Sequence, residues 1–250
     1  MFPKILRKLR HSIQRRALKL VLPNPRPGHG EHSMIYDTLN TPGGPNDYLI
    51  DLALRAANEA WRLELPEVSA RVDPETPDLV RVWPREHYRL LAALVKLLQP
   101  KRVIEIGTFR GLSALALKKF LSADGQIVTF DLTRWESLAE TSLRPQDFAD
   151  QRLRQEIADL SRPSVFESHR RLIQETELMF VDGPKDGEFE SKLLQQLETV
   201  EFQKPMLLVF DDIRFWNMLA VWQGIGRPKL DLTSFGHWSG TGLVDWRSGN

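Results

Sequence analysis

Apolar residues follow two rhythms along this chain, and the change comes near residue 100. Before it, hydrophobic positions recur every three or four residues, the spacing of one helix face. Ile5, Leu6, Leu9, Ile13 and Ala17 mark such a face in a helix predicted over 4–22, whose other positions are largely basic. Leu49, Ile50, Leu52, Ala53 and Ala56 predict a second helix, capped by Asn46 or Asp47 and running to about Arg62. Leu90, Leu91, Leu94, Val95 and Leu98 predict a third, from Pro84, which suits a first helical position, to a stop at Pro100. Proline and glycine crowd residues 23–47, which read as an extended linker, and a further break spans 66–84.

From Lys101 onward, short apolar runs alternate with helical patterns. Strands are expected at 102–106, 126–131, 153–158, 177–182, 206–211, 228–236 and 241–246, and helices at 111–122, 144–151, 165–175, 187–199 and 215–224. Such alternation argues for a parallel sheet covered on both faces. Only His237, Trp238, Ser239 and Gly240 separate the last two strands. That is too short for a crossover, so this pair must form an antiparallel hairpin. The expected fold class is α/β: a doubly wound, mostly parallel seven-stranded sheet, helices on both faces, closed by an antiparallel C-terminal hairpin. The chain divides into a basic helix and linker at 1–30, a helical cap at 31–100 and the core at 101–250.

Composition narrows the classes. The 250 residues are 42% hydrophobic and 27% charged, ordinary for a globular protein. Cysteine is absent, which excludes disulfides, thiolate metal sites and a cysteine nucleophile. No apolar run approaches the ~20 residues of a membrane-spanning helix. Net charge is +1, but residues 1–27 hold eight Lys or Arg and no acid, leaving −7 for the rest. An acidic body does not suit nucleic acid. The basic helix suits a peripheral contact with an anionic membrane, or packing on the body or a partner subunit, with a targeting segment as a third reading. A cytoplasmic, possible membrane-peripheral protein, and a homodimer, are the expectations for location and assembly.

The candidate chemistry starts at Arg102-Val-Ile-Glu-Ile-Gly-Thr-Phe-Arg-Gly-Leu-Ser113: a buried strand, a glycine turn and a helix start. In an α/β sheet this junction is where a cofactor sits. The pattern Glu-x-Gly-x-x-x-Gly lacks a glycine of the dinucleotide fingerprint, and Glu105 would repel a diphosphate, which disfavours a nicotinamide-dependent oxidoreductase. A carboxylate there suits a cationic head such as the α-ammonium of a methionine moiety; an ordinary strand–helix turn is the bland reading. Asp131 ends the second strand, 20 residues after Gly111, where an acid accepts hydrogen bonds from ribose or caps the next helical turn. Asp159 follows the third strand, where turn-forming Asp is common. Asp182, in Asp182-Gly-Pro-Lys185-Asp186, and the pair Asp211-Asp212 end two further strands. Three clustered carboxylates raise one another's pKa, and a hard divalent cation relieves that repulsion.

The stretch from Glu105 to Ser113 resembles the first motif of class I S-adenosylmethionine-dependent methyltransferases, with their Rossmann-like fold. Asp182-x-x-Lys185-Asp186 and Asp211-Asp212 resemble motifs of the catechol-type, Mg²⁺-dependent O-methyltransferases and of related bacterial groups that modify sugars or secondary metabolites. The resemblance covers roughly residues 85–246. It implies S-adenosylmethionine held by Glu105, Gly107, Thr108, Gly111, Ser113, Asp131 and, at the adenine amino group, Asp159. It implies Mg²⁺ (or Mn²⁺ or Ca²⁺) on Asp182, Asp211 and Asp212. Asp182 and Lys185 would be catalytic, Lys185 as a base whose pKa is lowered beside the cation, and the acceptor would be a hydroxyl of a small molecule or glycan. Two departures stand out: the family's Asp-Asn pair is Asp211-Asp212 here, and Gly183-Pro184 replaces its adenine-facing aromatic residue. His237 and Trp238 would rim the acceptor pocket or simply turn the hairpin. A metal-independent methyltransferase and a non-catalytic cofactor-binding module tethered to an assembly are the competing expectations.

Overall fold

A computed structural model describes residues 43–72, 86–233, 235 and 239–247. The helix expected at 4–22, most of the linker, Pro84, His237 and Trp238 lie outside the described residues.

Helix α1 (Asp47–Arg62) starts at Asn46, whose side chain accepts the Leu49 amide at 3.0 Å. The same side chain donates to Asp245 at 2.7 Å, tying the helix start to the last strand of the sheet. A single turn, α2 (Pro66–Ser69), comes next, and then α3 (Glu86–Leu98). Leu90, Leu91, Ala92, Ala93, Leu94 and Val95 are all buried, because α3 lies between α1 and α4 (Leu112–Lys119) and has little solvent side.

The strands are β1 (Arg102–Ile106), β2 (Gln126–Asp131), β3 (Leu153–Ile157), β4 (Leu178–Val181), β5 (Leu207–Asp211), β6 (Lys229–Asp231) and β7 (Thr241–Asp245). They form one seven-stranded sheet in the order β3-β2-β1-β4-β5-β7-β6. Strands β1 to β5 are parallel; β7 runs antiparallel to both β5 and β6. The expected mostly parallel sheet with an antiparallel C-terminal pair is therefore present.

Alternate residues of each strand feed two core layers. Val103, Phe180 and Val209 pack with α1, α3 and α4 on one face. Ile104, Met179 and Leu208 pack on the other, with α6 (Pro163–Ser168), α7 (Arg170–Gln174), α8 (Glu188–Leu197) and α9 (Met218–Gly224). A single turn, α5 (Pro145–Phe148), precedes β3 and is all that forms of the helix expected at 144–151.

Two expected elements differ in instructive ways. The helix over 165–175 is broken at His169, whose Nδ1 lies 2.8 Å from the Val165 carbonyl and whose backbone leaves helical geometry. The strand over 228–236 ends at Asp231, because its carboxylate accepts the Thr233 amide and hydroxyl and an Arg214 ion pair, turning the chain away.

From β1 the chain winds outward to β2 and β3, then returns past β1 to β4 and β5. The crevice at the carboxyl ends of β1 and β4 is thus the switch point of the sheet, where ligands of such folds bind.

Candidate active site

Glu105 is the fourth residue of β1 and points to the face covered by α3 and α4. It is fully buried, and neither carboxylate oxygen has a hydrogen-bond partner. Burial pushes its pKa up to about 8; Ser113 and Thr129, whose hydroxyls face it without closing hydrogen bonds, pull the other way. A buried carboxylate without a partner is costly, and a cation from a ligand would supply what the protein does not.

The turn after β1 is built around two glycines. Gly107 has φ +96°, and its amide donates to Phe130 at 2.9 Å. Gly111 has φ +82° and begins α4 with no side-chain cap, leaving first-turn amides for a ligand. Thr108 is buried, its hydroxyl 2.8 Å from that of Thr129, so its side chain braces β1 against β2. Asp131 accepts the Phe109 amide on one oxygen and the Thr133 amide on the other, both at 2.9 Å. It orders the turn, with acceptor capacity remaining on both oxygens. Phe109, Leu132 and Ile157 are exposed large apolar residues at the same edge, and Ile157 pairs with Asp131 in the sheet. Asp159 spends one oxygen on the amide and hydroxyl of Ser161, the turn-forming use of such an acid.

The acidic cluster sits one strand further on. One oxygen from each of Asp182, Asp211 and Asp212 lies within 4.8 Å of the other two. The Lys185 ammonium is 2.6 Å from Asp182 and 3.6 Å from Asp212. Burial acts to lower the Lys185 pKa, but the charges of Asp182, Asp211 and Asp212 outweigh it and hold the ammonium above its usual value. The carboxylates thus hold Lys185 as an ammonium. Asp211 goes the other way: burial first, then the charges of Asp182 and Asp212, push its carboxyl well above the usual range. Ser239 donates to Asp212. The donor set is all oxygen, one carboxylate oxygen from each of the three acids. That set fits a hard divalent cation such as Mg²⁺, Mn²⁺ or Ca²⁺.

Six described non-glycine residues adopt positive φ, and four of them, Phe109, Lys185, Asp212 and Trp216, lie in the loops of this edge. Backbone strain concentrates where function over-determines geometry.

A sequence profile of the O-methyltransferase family matches residues 64–218, more than half of the chain. The chain belongs to the O-methyltransferase family. Its fold is similar to that of a methyltransferase from Geobacter sulfurreducens, at 16% identity and a TM-score of 0.50, over 80% of this chain and 98% of that one. It is also similar to the O-methyltransferase TomG of tomaymycin synthesis from Streptomyces achromogenes, solved with S-adenosylmethionine (20% identity, TM-score 0.48, 77% and 96% covered). A third similar structure is an O-methyltransferase from Bacillus cereus in complex with S-adenosylhomocysteine (16%, 0.44, 81% and 92%).

This O-methyltransferase brings two groups of sequence-predicted residues to one sheet edge. Glu105, Gly107, Thr108, Gly111, Ser113 and Asp131 surround the first turn; Asp182, Lys185, Asp211 and Asp212 surround the second. Three further residues join them that the motifs did not mark. Glu190, fully buried at the start of α8, accepts the Lys185 amide on one oxygen and the Gly187 amide on the other, both at 3.0 Å, and so fixes the Lys185 loop. Tyr88 comes from α3; burial raises its pKa, and the charges of Asp182, Asp211 and Glu105 add to this against Arg110. His87, beside it, places Nδ1 3.7 Å from Asp211 Oδ1. A signal for His87 is present in the sequence: it lies four and seven residues before Leu91 and Leu94, on the buried face of the helix.

Proposed function

We propose that this O-methyltransferase methylates a hydroxyl of a small molecule or glycan that carries a neighbouring oxygen, with a divalent cation on Asp182, Asp211 and Asp212 and Lys185 as base. The observation that carries this is the juxtaposition of Lys185 with three carboxylates at the strand ends beside the Gly107 turn. S-adenosylmethionine supplies an electrophilic methyl group on a sulfonium. The divalent cation, when bound, lowers the pKa of an oxygen it ligates and offsets the negative charge of the cluster.

The chain's own residues set up the rest. Glu105 offers a carboxylate to the ammonium of the donor, and the uncapped start of α4 offers amides to its carboxylate. Asp131 receives the ribose hydroxyls, with Leu132 and Ile157 as apolar neighbours. Asp159 is the proposed partner of the adenine amino group. With the charge of the cluster offset, Lys185 would release its ammonium proton to solvent and its Nζ would then take the proton of the acceptor hydroxyl, whose oxygen bonds the methyl carbon as the sulfur–carbon bond breaks and S-adenosylhomocysteine leaves. Glu190 keeps the Lys185 loop in place for that transfer. Trp216, exposed and held at φ +45° after Asp212, offers the acceptor a flat ring.

A second reading has its own observation: the Lys185 ammonium already neutralises part of the cluster, as a metal-independent enzyme would need. Release of S-adenosylhomocysteine, followed across catechol, sugar and isolated-hydroxyl acceptors with and without a strong chelator, tests both. Turnover that prefers paired oxygens and stops with chelator supports the metal reading; turnover that survives chelation supports the other. No turnover with any acceptor, together with intact cofactor binding, favours the tethered binding module.

Among the described residues no helix is long and apolar enough to cross a membrane. Peripheral contact with an anionic membrane through residues 4–22, a cytoplasmic location and a homodimer remain proposals from the sequence.

A further inference from the structure

We infer that His87 is a positioning residue for the Asp211 carboxylate, and that it sets how tightly the acidic cluster holds a divalent cation. The inference rests on the metal reading above and extends it to a residue outside the motifs.

Each carboxylate of the cluster meets a different protein group. Asp182 meets the Lys185 ammonium, and Asp212 meets the Ser239 hydroxyl. Asp211, the most deeply buried of the three, has an oxygen, Oδ1, with no hydrogen-bond partner. The nitrogen facing that oxygen is His87 Nδ1 at 3.7 Å, with side-chain exposures of only 11% and 8% for the two residues. This is a few tenths of an ångström beyond a hydrogen bond, and no solvent competes for it.

The imidazole is well placed to keep that direction. Its ring lies 4.8 Å from Tyr88, edge to face, and 5.9 Å from Phe180, so helix α3 and strand β4 hold it from two sides. A carboxylate that gives one oxygen to a cation holds its orientation best when a donor fixes the other. An imidazole with hydrogen on Nδ1 provides that donor whether neutral or charged, so the effect does not depend on titration. His87 belongs to the helical segment before the methyltransferase motifs. That segment thereby reaches the proposed metal site.

The test measures Mn²⁺ binding to the full chain by calorimetry and electron paramagnetic resonance, for the wild type, His87→Ala and His87→Asn. Loss of an outer-shell partner typically costs about 10–100-fold in metal affinity, and that loss is expected for His87→Ala. The Asn amide places a donor near the position of Nδ1 and is expected to restore most of the affinity. Thermal unfolding of the cation-free proteins should stay close to wild type. Equal affinities for wild type and His87→Ala overturn the inference while leaving the metal reading intact. Equal losses in both variants, with lowered cation-free stability, overturn it in favour of a packing residue. Nitrogen hyperfine coupling to Mn²⁺ that vanishes in His87→Ala overturns it by making His87 a ligand. No saturable Mn²⁺ binding by the wild type overturns the metal reading and this inference with it.

Discussion

A Cβ on Gly107 would stand 2.1 Å from the carbonyl oxygen of Asp182. The Gly107 turn and the first residue of the acidic cluster are thus in backbone contact, and the Asp182 amide donates back to Ile106 at 2.8 Å. Gly107→Ala has to move one strand end or the other, and φ +96° adds strain on the order of 1–3 kcal/mol. Calorimetry should show cofactor binding lost, with a lowered melting temperature. Gly224→Ala is the control: a Cβ there meets nothing within 4 Å, so stability should change little or rise slightly.

Glu105 makes the cofactor-free protein pH-dependent. Its folded pKa of about 8 is raised above the ordinary 4.5, so the folded state holds a proton that the unfolded state has lost. Stability should therefore fall as pH climbs through that window, by on the order of a few kcal/mol, and level off above it. Binding a cationic ligand group must expel the proton, so S-adenosylmethionine affinity should rise with pH toward about 8. Calorimetry in two buffers of different ionisation heat reads the proton directly. Glu105→Gln should flatten both slopes and weaken binding by about tenfold or more.

Lys185 competes with any cation for the same carboxylates. Lys185→Met should cut methyl transfer by about 10²–10⁴ while cofactor affinity holds. The same variant should bind Mn²⁺ more tightly than wild type, because no ammonium remains against Asp182. Weaker Mn²⁺ binding would mean that the ammonium helps to build the metal site.

The basic segment is testable apart from catalysis. Deleting residues 1–22 should reduce co-sedimentation with phosphatidylserine vesicles, and raised salt should do the same to the full chain. Unchanged sedimentation of the deleted chain would remove the membrane proposal.

The residues legible in the sequence are those that lie next to a strand end. Asp131, Asp182 and Asp211 each close an apolar run and Glu105 sits one residue before the end of β1, so the strand rhythm alone delivers them to one edge. Residues that reach the site from another element are harder to read. Tyr88 and Glu190 arrive on helices whose packing is set by contacts remote in sequence, so no local pattern marks their function. Local polar competition explains the misplaced boundaries: Asp231 prefers Thr233 and Arg214 to a longer ladder, and His169 opposes its own helix. The sequence places Lys185 among three carboxylates but not at what distance: Asp182 lies 2.6 Å away, and the charges of the cluster hold the ammonium above its usual value unless a cation offsets them.

The four left-handed residues at the sheet edge carry a consequence for how such an enzyme changes over generations. Phe109, Lys185, Asp212 and Trp216 hold backbone shapes that side chains of most kinds resist. Most replacements near them would disturb the loop path before they altered acceptor choice. Helix α1 carries no such constraint, and it is fastened to the far end of β7 through Asn46 and Asp245 rather than at that edge. Sequence change is thus expected to accumulate in α1 sooner than in the loops of the edge.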